Sequence, residues 1–117
     1  MLSPVHQDLL DSVQSLYGAG QVPDRQVERE IVKAILAELS QREPGRSVEV
    51  RIPPYSAIQV VAGHTHRRGT PAAVVETNAH TLVALAAGSL TWEEAISIGI
   101  LQASGERSDL SRFFPLH

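Results

Sequence analysis

The hydrophobic period first changes at Pro44-Gly45, and that change limits the chain to a fold that opens with two helices and only then enters its sheet. Before the break, Val5, Leu9, Val13 and Leu16 recur at helical spacing, then Val27, Ile31, Ala34, Ile35 and Leu39 do so again. After it, Ser47-Val48-Glu49-Val50-Arg51-Ile52 alternates apolar with polar, as a strand with one buried face requires.

Punctuation sharpens the elements. Ser3-Pro4 is a helix entry, and Gly18 to Gly20 stop the first pattern, so helix one covers about residues 4 to 17. A second helix runs from the Pro23-Asp24 entry to Ser40 to Arg42, with Arg25, Glu28, Arg29, Lys33 and Glu38 on its polar face. Pro53-Pro54 ends the first strand, Ala57 to Ala62 forms the second at hairpin distance, and Ala72 to Glu76 the third. Thr77 or Asn78 caps the next helix, whose inner face is Leu82, Leu85 and Ala86, and Gly88 occupies a left-handed cap position. Thr91-Trp92-Glu93-Glu94 is a capping box opening a short helix that ends at Gly99. Ile100 to Ser104 is the fourth strand, and Ser108 to Ser111 opens a final helical turn closing on Phe113-Phe114-Pro115. The expected order is α-α-β-β-β-α-α-β-α. This is an α+β fold: a small, mostly antiparallel sheet of four to five strands with helices packed on one face.

A chain of 117 residues, 43% hydrophobic, supports one core, so residues 1–117 are read as a single domain. Without cysteine it forms neither a disulfide framework nor a thiolate metal site. The start has no basic leader or apolar h-region, and no apolar run approaches the roughly 20 residues of a membrane span, so a cytoplasmic protein without stable membrane insertion is expected. A net charge of −3 argues against nucleic acid as a partner. The long connector and balanced charge of the second helix argue against a helix-turn-helix. Charge is unevenly spread: residues 42 to 68 hold five Arg against two Glu, and residues 69 to 117 five acids against two Arg.

From Ser47 to Leu116 the chain resembles the sterol carrier protein superfamily, and within it a small bacterial branch annotated in high-GC Gram-positive organisms. The resemblance is carried by Arg51-Ile52-Pro53-Pro54-Tyr55, by Arg68-Gly69-Thr70-Pro71 running into Val74-Val75-Glu76-Thr77, and by the Leu82-Ala84-Leu85-Ala86-Gly88 helix. Trp92 with Ala95, and Gly99 to Gly105 followed by Asp109-Leu110-Ser111, complete it. It implies an open α+β sheet with helices over an apolar tunnel that takes fatty acyl chains, acyl-CoA or sterols in the better-known members. Residues 1–43 then form an N-terminal helical extension and 44–117 the sterol-carrier-like part, the extension filling or capping the tunnel.

That resemblance implies an apolar cavity at Ile58, Val60, Leu82, Leu85, Trp92, Ile96, Phe113 and Phe114. The same side chains serve equally as ordinary core, since the chain has only five aromatic residues. Arg67 and Arg68, beside Gly69, form a candidate anion or head-group site, because guanidinium forks match phosphate and carboxylate oxygens. His64 and His66, with His80, are a conceivable three-nitrogen metal site, but with no carboxylate nearby in sequence they read as solvated, and neither metal nor cofactor is expected. No serine stands in a Gly-x-Ser-x-Gly context and no carboxylate pair is spaced for hydrolysis. The expected function is therefore non-enzymatic binding of a hydrophobic or amphipathic small molecule. The alternative is an interaction module with a filled core, whose helical extension or basic loop binds another protein or a second copy as a homodimer.

Overall fold

The computed structural model describes residues 1–63, 65, 69 and 71–116. Its elements are α1 (Pro4–Gly18), α2 (Arg25–Arg42), β1 (Val48–Ile52), β2 (Ser56–Val60), β3 (Ala73–Thr77), α3 (Ala79–Ala87), α4 (Trp92–Ser97) and β4 (Leu101–Ser104). A single 3-10 turn, Ser111–Phe113, stands where the last helix was expected. The caps are those the sequence encodes. Ser3, Asp24 and Asn78 accept from the backbone N–H of His6, Gln26 and Thr81 at 3.1, 2.9 and 2.8 Å, and Thr91 and Glu94 close a reciprocal capping box. Of the two cap candidates before α3 the structure selects Asn78; the Thr77 hydroxyl donates instead to the Ile100 carbonyl at 2.7 Å, tying β3 to the start of β4.

The sheet order is β2-β1-β3-β4. β1 pairs antiparallel with β2, and β3 with β4, whereas the central pair β1 and β3 is parallel, with Val50 opposite Val75. Strand alternation sends Val48, Val50, Ile52, Val60, Ala73, Val75 and Leu101 to one buried face. Glu49, Arg51, Ala57, Gln59, Glu76, Gln102 and Ser104 point the other way, and among the described residues no helix layer covers them. The helices lie on the apolar face. α2 contributes Ile31, Val32, Ile35, Leu36 and Leu39, each at most 1% exposed, while α1 packs on α2 and α3. α3 is buried from Thr81 to Ala86, all the way round, because it has α1 and α2 as neighbours. Residues of both leading helices, the sheet, α3 and the Phe113 turn belong to one buried cluster.

β2 stops earlier than its apolar run suggests, because Val61 adopts φ 66°. This is an uncommon conformation for a β-branched residue, held here by its hydrogen bonds. Its N–H donates to Glu43 O at 2.8 Å, and its carbonyl accepts from the Ser47 N–H at 3.0 Å and the Ser47 hydroxyl at 2.6 Å. The exit from α2, the entry to β1 and the end of β2 are thus fastened at one point. Among the described residues no helix is long and apolar enough to cross a membrane.

Candidate functional site

Two chain reversals meet at one carboxylate. Tyr17 is the last residue but one of α1, after which Gly20 at φ 74° turns the chain and Gln21 N–H closes on Leu16 O at 2.8 Å. One turn into α2 stands Glu28. Between β1 and β2, Pro53 and Pro54 are joined by a cis peptide, and Tyr55 N–H bonds to Ile52 O at 2.8 Å. The two tyrosines, the chain's only ones, both donate to Glu28: Tyr55 to Oε1 at 2.5 Å and Tyr17 to Oε2. His80, in the first turn of α3, stacks on the Tyr17 ring with centroids 4.1 Å apart and planes 16° from parallel.

These groups border a groove of about 380 Å³ whose other walls are Gln21, Val22, Pro53, Pro54, Asn78 and Ala79. Aromatic and aliphatic walls with a few convergent polar groups are the usual make-up of a small-molecule site. Burial, and then the hydrogen bond and negative charge of Glu28, push the Tyr17 hydroxyl well above its ordinary value of 10.0. The hydrogen bond to Glu28, followed by burial, raises Tyr55 in the same direction. A raised native value means that the tyrosine–Glu28 contacts stabilise the fold fully below the unfolded tyrosine value, about 10, and are lost as pH rises beyond it. Tyrosinate absorbance at 295 nm is therefore expected to rise at higher pH in the folded protein than in the unfolded chain, together with loss of circular dichroism. Coincident tyrosine titration in folded and unfolded protein would show that the network is not closed.

The residues expected around an interior cavity are dispersed. Val60, Leu82, Leu85, Trp92 and Phe113 lie in the buried cluster, with Ile58 and Phe114 half-buried against it. Ile96 is 40% exposed, on the six-residue α4 that turns Trp92 and Ala95 inward. Trp92 and Phe114, their rings 6.2 Å apart, border a separate depression of about 300 Å³ with Leu90 and Pro115. Ile58 borders another, beside Ser40, Glu49 and Gln59. Arg67 and Arg68 lie outside the described residues, as do His64 and His66. Among the described residues no three His, Cys, Asp or Glu side chains gather as a metal site would need.

Tyr17, Glu28 and Tyr55 were not among the expected site residues. Glu28 reads as one charge on a solvated helix face, and Tyr55 as the residue after a strand terminator. The available signal was that both tyrosines sit beside chain reversals, where an aromatic ring with a polar tip has few local partners.

Comparison with known proteins adds a family match. A family model described as "Bacterial SCP ortholog" matches residues 24–116, beginning at the cap of α2 and so taking in α2 together with the sheet. No curated protein matches. Among solved structures the chain is similar to sterol carrier protein 2 like 2 from Aedes aegypti, at 16% identity and a TM-score of 0.42, covering 67% of this chain and 88% of that one.

Proposed function

The chain belongs to the bacterial SCP ortholog family of the sterol carrier proteins, and from that premise we propose that it binds and carries a hydrophobic or amphipathic small molecule without altering it chemically. The supporting observation is the groove between Tyr17, Val22, Pro54, Tyr55 and Ala79. At about 380 Å³ it falls at the small end of the roughly 300–1,000 Å³ typical of ligand pockets, which suits a head group and a short length of tail. Each methylene removed from water contributes about 0.8 kcal/mol before association and ordering costs are subtracted. In this reading the cluster of Val60, Leu82, Leu85 and Phe113 is the rigid backing of the site and not its seat.

The test uses Nile red, a neutral solvatochromic probe. Saturable fluorescence enhancement by the wild-type chain is expected. Val22→Arg should weaken it about tenfold or more by placing a charge on the apolar wall, with an unchanged thermal midpoint because Val22 is 77% exposed. Failure of the folded wild-type protein to bind, or full binding by Val22→Arg, overturns this assignment; the former result would favour an interaction module with a filled core.

A further inference from the structure

We infer that the polar end of the groove selects an amphiphile whose head is an ammonium or another strong hydrogen-bond donor, in preference to one with an anionic head. This rests on the carrier reading above and deepens it. Tyr17 and Tyr55 spend their hydroxyl protons on the two oxygens of Glu28, so the three groups present accepting lone pairs to the groove. A carboxylate accepts several hydrogen bonds, and the phenol oxygens retain acceptor capacity. The tyrosine rings add π faces that attract a cation, Tyr17 having one of its faces against His80. Among the described residues no Lys or Arg borders this groove. Arg25 and Arg29 line an adjoining depression that shares Pro54 and Tyr55 with it, so an anionic head is drawn next door and a donor head into the groove.

The experiment is displacement of Nile red by amphiphiles of one chain length, below their micelle concentrations: dodecyltrimethylammonium, dodecylamine, dodecanol and dodecanoate. The ammonium compounds are expected to displace at about tenfold lower concentration than dodecanoate. Glu28→Gln should remove that difference while Nile red itself still binds. Tyr55→Phe, which leaves the carboxylate in place, should retain a preference for the ammonium compounds. Dodecanoate displacing as well as or better than the ammonium compounds from wild type, or an unchanged preference in folded Glu28→Gln, overturns the inference and leaves the carrier reading standing. Absence of Nile red binding by wild type removes both.

Discussion

Leu85→Arg is expected to leave no folded protein at 25 °C, whereas Ile96→Arg is expected to fold with wild-type stability. Leu85 is 1% exposed on α3, a helix buried all round. A guanidinium there has no described acidic partner within the apolar cluster, and an uncompensated buried charge costs more than most domains can spare from a total of about 5–15 kcal/mol. The milder Leu85→Ala removes the same packing without the charge and should cost about 2–5 kcal/mol, the spread depending on how far α1, α2 and α3 close over the void. Ile96, at 40% exposure, has little packing to lose. Urea unfolding followed by circular dichroism measures all three. A cooperative, wild-type transition for Leu85→Arg would mean that the interior can open, and would restore the enclosed tunnel as the ligand seat.

Gly45→Ala is the second large effect expected, and it acts through the backbone. A Cβ at this position would stand 2.1 Å from the carbonyl carbon of Val61, 2.2 Å from its oxygen and 2.3 Å from Ala62 N. None of these atoms can swing aside as a flexible side chain would. Relief requires Val61 to move, yet its N–H and carbonyl are committed to Glu43 and Ser47. At about 1 kcal/mol for each hydrogen bond disturbed, with repulsion added, the substitution should cost about 3 kcal/mol or more. Gly18→Ala is the control: nothing lies within 4 Å of its Cβ and it ends a helix, so that change should be neutral or slightly stabilising. Equal unfolding midpoints for the two variants would show that the α2 exit does not press on Val61.

The contrast between these positions marks what a linear chain reveals. Caps, helical faces and strand alternation depend on residues a few places apart, so Ser3, Asp24, Thr91 and the buried face of β1 are legible without coordinates. Gly88 is legible for the same reason, since a helix ending in the left-handed region favours glycine at that place. The family resemblance was legible from Ser47 onward, but not that the matching region begins at Asp24, because α2 is tied to the sheet by burial and not by any local motif. The parallel pairing of β1 with β3 is a choice made by the whole fold: β2 occupies one edge of β1 and leaves the other to β3.

The groove at Glu28 escaped for a stronger form of that reason. Its polar members come from the end of α1, the first turns of α2 and α3, and the β1–β2 turn, which meet only after every layer has packed. Ile96 shows the opposite limit. A short amphipathic segment suggests an inward isoleucine, but α4 packs mainly beside β4, and the isoleucine next to the end of this six-residue helix is left 40% exposed.

The bare side of the sheet offers a practical handle. Ser104 is exposed there, at the end of β4 remote from the Pro53-Pro54 turn, and the chain contains no cysteine. Ser104→Cys would therefore supply a unique thiol, through which the protein can be tethered to a sensor surface or carry a dye while its Tyr17–Tyr55 mouth stays free to sample solution.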